Sequence, residues 1–85
     1  MKTLHIIRNL NDRLSQATIR SFSECGEEAV LLMQDAVYDE IHLESVKVYV
    51  CQEDLFARQI KKEFQQVSYD DIARLVTEFD RTIVW

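Results

Sequence analysis

Proline is absent from this chain of 85 residues, and glycine occurs once, at Gly26. Few breakers imply few sharp turns and a high share of regular elements. One glycine also excludes a G-x-G-x-x-G fingerprint and a P-loop, which need several. Cysteine occurs twice, at Cys25 and Cys51, with no C-x-x-C spacing. That excludes a disulfide framework, a thioredoxin-like pair and a zinc knuckle. No apolar run approaches the roughly 20 residues that a membrane helix needs. The opening MKTLHIIRNLND lacks a long apolar segment and a small-residue cleavage site, so no signal peptide is expected. The cysteines then read as reduced thiols of a cytoplasmic protein. Basic residues are in the minority, 10 against 15 acidic, for a net charge of −5 at pH 7. An acidic surface repels phosphate backbones, so the chain is not expected to bind nucleic acid directly, although a basic partner could bring RNA close.

What the chain does have is apolar content, at 47%. That is enough to fill a core and excludes a disordered class. Residues 1–85 form one domain, with no linker, repeat or low-complexity stretch. A domain of this size buries only about 60% of its unfolded surface and is marginal alone, so partner chains are one source of added stability.

Strand and helix patterns alternate. Residues 3–7 (TLHII) read as a buried first strand, and residues 9–12 supply helix caps. Leu14, Ala17, Thr18, Ser21, Phe22 and Cys25 follow at helical steps and predict the inward face of a first helix, closed by Gly26. The unbroken apolar run of residues 29–33 (AVLLM) predicts a strand covered on both faces. Residues 36–43 predict a short helix with Val37, Ile41 and Tyr38 inward. Residues 46–51 predict a third strand, with Val46, Val48 and Val50 on one face and Lys47, Tyr49 and Cys51 on the other. A helix with Glu53 and Asp54 in its first turn follows, then a polar stretch and a very short strand at Val67. Ser68 and Asp71 resemble a capping box ahead of the stripe Ile72, Leu75, Val76 and Phe79. Residues 82–85 (TIVW) close as a strand. The predicted class is α/β, a small layered domain with a mostly parallel sheet of four to five strands flanked by helices.

The candidate chemistry is sparse. Cys51 stands between a strand and a helix, where ligand sites gather in parallel sheets and where a helix N-terminus lowers a thiol pKa. Glu53 and Asp54 oppose a thiolate there, and free cysteine is commonly buried, so packing is the favoured reading. Cys25, on the predicted inward stripe, reads the same way. His5, inside an apolar strand, reads as a buried, hydrogen-bonded histidine, and His42 as an exposed one. Asp35 stands where receiver domains carry a phosphoacceptor, but the acidic pair such domains place after the first strand is replaced by Ile7 and Arg8. Neither a metal site nor a cofactor is expected. Asp54 and Arg58 are spaced for a helix-surface ion pair worth about 0.3–0.5 kcal/mol. The group Glu53, Asp54 and Arg58 would matter more at a subunit boundary. Trp85 is either a core plug or an aromatic anchor against a partner.

Three stretches together resemble the TusB/DsrH family. They are Thr3–Leu4–His5, the apolar strand with its polar turn over residues 31–37 (LLMQDAV), and the V-Y-x-x-x-E-D-L-x-A-R pattern of Val48, Tyr49, Glu53, Asp54, Leu55, Ala57 and Arg58. A late Tyr69 to Leu75 segment and Trp85 also fit. The resemblance implies a DsrE/DsrF/DsrH-like fold and a cytoplasmic hetero-oligomer with TusC-like and TusD-like chains. It implies relay of persulfide sulfur toward 2-thiolation of a tRNA wobble uridine, with the working cysteine on the TusD-like subunit. The family's first-helix cysteine, present in some members, matches Arg20 here, and the place of Cys51 is ordinarily apolar. Family glycines are replaced by Ala36 and Gln59, and those turns are expected to differ. The expected role is therefore a non-catalytic subunit of a sulfurtransferase complex. The alternatives are a persulfide carrier using Cys51 or Cys25, and a homo-oligomeric small-ligand binder.

Overall fold

A computed structural model describes residues 2–22, 27–39 and 46–85. Five strands, β1 (Lys2–Ile7), β2 (Glu27–Leu32), β3 (Lys47–Cys51), β4 (Gln65–Val67) and β5 (Arg81–Val84), form one sheet in the order β4-β3-β2-β1-β5. Every pairing is parallel. Helices α1 (Arg13–Phe22), α2 (Gln52–Ala57) and α3 (Tyr69–Thr77) and a 3-10 helix (Gln34–Tyr38) connect the strands.

The chain steps from β1 to β4 in one direction, then crosses back to β5. Right-handed crossovers place connections of opposite direction on opposite faces. The core divides accordingly. One face packs Ile7, Val30, Leu32 and Val50 against Ile19 of α1, Val37 of the 3-10 helix and Leu55 of α2. The other packs Leu4, Leu31 and Tyr49 against Leu75, Ile72 and Val76 of α3 and Phe79 just beyond its C-terminal cap. Residues 29–32 of the expected run lie in a central strand buried on both sides, which explains their lack of alternation, whereas Met33 follows its end and is half-buried. The alternation expected in β3 is present, and the capping box of Ser68 and Asp71 opens α3.

Other elements differ from expectation. The inward residues of α1 among the described side chains are Ser15 and Ile19, whereas Leu14 is 70% exposed and Ala17 and Ser21 also face solvent; the Phe22 side chain lies outside the described set. Asp12 sets this rotation: its carboxylate caps the Ser15 amide and its carbonyl accepts the Ser15 hydroxyl, so a polar side chain is buried without loss. The short helix after β2 is a 3-10 turn ending at Tyr38, which is half exposed instead of inward. Ile41, His42, Cys25 and Gly26 lie outside the described residues. Val67 ends β4 instead of starting it, and the last strand begins at Arg81.

Asn11, Gln34 and Gln59 hold positive φ, at 59°, 51° and 53°. Two have their amides tied to buried carboxylates, Asn11 to Asp39 at 2.9 Å and Gln34 to Asp54 at 2.8 Å. Gln59, where the resemblance leads one to expect glycine, has its amide on the Phe56 carbonyl alone among the described residues. Left-handed backbone costs a residue with a Cβ about 1–2 kcal/mol. Glycine removes that and adds about 0.5–1 kcal/mol of unfolded-state entropy. Gln59→Gly should therefore stabilise by about 0.5 kcal/mol, read as a higher urea midpoint at unchanged slope. Ala36, at the other replaced glycine, has no positive φ and offers no such gain.

Candidate functional site

The connections after β3 and β4 leave the sheet on opposite faces, α2 on one and α3 on the other. The crevice between their first turns is the topological switch point, where open α/β sheets place ligands. Cys51, Glu53, Asp54, Ser68 and Tyr69 meet there.

Asp54 is buried at 8% exposure and serves three elements. Its Oδ2 accepts the Gln34 amide at 2.8 Å, and its Oδ1 accepts the Tyr69 hydroxyl at 3.4 Å. Arg58 lies 3.6 Å from Oδ1, donates to the Asp54 carbonyl at 3.3 Å, and reaches out to Asp35 at 3.1 Å. The i, i+4 pair read from the sequence is thus one edge of a larger network. Asp35 is the exposed end of it, paired with a guanidinium.

Glu53 bridges the crevice. Its Oε2 accepts the first amide of α3, from Tyr69, at 3.1 Å, and its Oε1 accepts the Cys51 thiol at 3.9 Å. A helix N-terminus ordinarily invites an anion. Here the chain's own carboxylate and the Ser68 cap already fill that position.

Cys51 is fully buried. Burial, with the Asp54 carboxylate adding to it, pushes its thiol from 9.0 to about 11, against the opposing pull of the Asp54 and Glu53 amides. Such a thiol carries very little thiolate at neutral pH, and the thiolate is the nucleophile. Asp54 also raises the Tyr69 phenol above its ordinary range. Among the described residues the switch point is an acidic polar staple built around an inert thiol, and no group of metal-binding side chains occurs.

The sequence reading missed Gln34, Tyr69 and Glu28. Gln34 contributes a backbone amide, which no side-chain motif announces. Glu28 had one available signal. It stands at the head of the apolar β2 run, and His5 interrupts the apolar β1 run, so two neighbouring buried strands each carry an ionisable residue in need of a partner. The structure makes that pair: His5 Nε2 and Glu28 Oε2 are 2.6 Å apart, both buried. Trp85 sits over them, half buried against the α1 side of the core, and its indole N–H donates to His5 Nδ1 at 3.2 Å.

Outside α2 a groove of about 420 Å³ is lined by Gln52, Glu53, Leu55, Phe56, Ile60 and Gln66. Phe56 is 86% exposed at its rim. No helix among the described residues is long and apolar enough to cross a membrane.

A model of the family described as DsrH like protein matches residues 14–82, most of the chain. A comparison with curated proteins finds no match.

Proposed function

The chain belongs to the DsrH-like family, and on that premise we propose that it is a non-catalytic subunit of a cytoplasmic sulfurtransferase complex. In this reading it assembles with TusC-like and TusD-like chains that relay sulfur to the wobble uridine of tRNA. The family match carries the sulfur-relay half of the reading. The non-catalytic half is supported by Cys51, which is enclosed, hydrogen-bonded to Glu53 and held protonated well above neutrality. Persulfide transfer needs an exposed thiolate, and an acidic crevice disfavours one.

Docking is supported by what the fold leaves uncovered. Phe56 and Leu14 are 86% and 70% exposed, a large apolar load for so small a domain. Glu53 on α2 and Arg58 at its C-terminal cap would form the polar margin of a contact around Phe56. Asp54 would act from beneath, holding α2 in place. Trp85, at the other edge of the sheet, is a second anchor in this proposal.

The experiment is co-expression with TusC-like and TusD-like chains, followed by affinity capture and size measurement. One complex containing all three is expected. In cells lacking the native gene, Cys51→Ser should restore tRNA thiolation to nearly the wild-type level. Absence of co-purification would remove the docking role. Loss of thiolation in a folded Cys51→Ser variant, or a persulfide on Cys25 after incubation with a desulfurase, would favour the carrier reading.

A further inference from the structure

The Glu28–His5–Trp85 chain has a determinate proton arrangement. An indole N–H can only donate, so His5 Nδ1 must be an acceptor and carry no proton. A neutral imidazole then bears its one proton on Nε2, which donates to the Glu28 carboxylate at 2.6 Å. The two rings are nearly parallel, inclined by 22° with centroids 6.3 Å apart, an offset arrangement that leaves the indole N–H 3.2 Å from Nδ1.

From this we propose that His5 and Trp85 form a proton-gated latch, in which uptake of a second proton at His5 Nδ1 expels the Trp85 indole from the sheet. An imidazolium is a donor at both nitrogens. Its Nε2–H keeps and strengthens the Glu28 bond, while its Nδ1–H confronts the indole N–H, donor against donor. The proton comes from solvent and no covalent bond changes. The indole must leave, and the backbone need not: the Trp85 amide stays on the Ile6 carbonyl at 2.8 Å, and Arg8 holds the Trp85 carbonyl at 3.1 Å. The side chain therefore swings about an anchored backbone and opens the core beside the exposed Val84.

The charged groups around the ring come from three strands. From β2, Glu28 meets Nε2. From β5, Arg81 stands at the remove of Thr3, to which it donates at 2.9 Å. On β1 itself, Arg8 lies beyond Ile7 and engages the Trp85 carbonyl. The described buried side chains of α1, Ser15 and Ile19, carry no charge.

Trp85 is the only tryptophan, so the latch reports on itself. Tryptophan emission and acrylamide quenching of the full chain are followed from neutral to mildly acidic pH, with far-UV circular dichroism as the check on folding. The expected result is a red shift and at least a twofold rise in quenching at unchanged secondary structure. His5→Gln keeps one acceptor and one donor but takes no proton, and should hold the indole in place throughout. His42→Gln should retain the transition. Imidazole nitrogen chemical shifts of the native chain provide an independent reading, with the Nε2–H tautomer of His5 expected at neutral pH. An unshifted emission while the His5 resonances titrate, a transition that persists in His5→Gln or disappears in His42→Gln, or a proton on Nδ1 at neutral pH would overturn the latch.

Discussion

Asp54→Ala is expected to lower stability by about 3 kcal/mol, measured as the loss in urea unfolding free energy. Three ties end with one carboxylate: the Gln34 amide, the Tyr69 hydroxyl and the Arg58 guanidinium. A hydrogen bond to a charged group contributes about 1.5–3 kcal/mol. The Gln34 bond is the most consequential, because Gln34 has positive φ and its amide would be left without this acceptor. Asp54→Asn keeps one oxygen acceptor and should lose roughly half as much. Both variants make a second, independent prediction. Asp54 is the first cause of the raised Tyr69 pKa, so removal of its charge should bring the phenol titration down toward the ordinary tyrosine range. A stability loss with an unmoved Tyr69 titration would mean that the two residues are not in contact in solution.

Leu31→Ala is expected to cost a further class of stability, about 3 kcal/mol or more, through a cavity instead of a lost hydrogen bond. Leu31 is wholly buried at the centre of the sheet, paired in register with Ile6 of β1 and Tyr49 of β3. Its side chain supports α3, the only helix covering that face among the described residues. A domain of this length has about 4–13 kcal/mol in all, at roughly 0.05–0.15 kcal/mol per residue. The substitution thus removes a large share of the total, and α3 amides should exchange with solvent faster than those of β1 and β2. Ile19→Ala, on the opposite face under α1, should leave α3 exchange ordered relative to the sheet as in the native chain. Equal loosening of both faces by either variant would show that the two core layers do not act separately.

The comparison of α1 with α3 explains which parts of the fold were legible in advance. In α3 and the turn after it the apolar residues Ile72, Leu75, Val76 and Phe79 make one stripe, and the large aliphatic residues of the helix fall nowhere else, so one orientation buries them. In α1 the apolar and small residues are spread around the helix. The stripe containing Leu14 and Ala17 and the one containing Ser15 and Ile19 were both available. A local cap from Asp12 made the second workable by satisfying the Ser15 hydroxyl. Side-chain periodicity carries no information about such a hydrogen bond.

The candidate site divides in the same way. Cys51, Glu53, Asp54 and Arg58 are near neighbours in the chain, and their grouping followed from spacing alone. The remaining partners are distant: 20 residues separate Gln34 from Asp54, 23 separate His5 from Glu28, and 80 separate His5 from Trp85. The amino-acid order by itself determined the alternation of strands and helices, the double burial of β2 and the capped start of α3. These depend on period, propensity and caps, which act within a few residues. Only the tertiary structure decided that Glu53 closes the switch point, that Asp54 ties three elements together, and that Trp85 rests on a buried histidine. Those outcomes depend on parallel pairing, which brings together residues far apart in sequence, and on whether each buried polar atom finds its partner there.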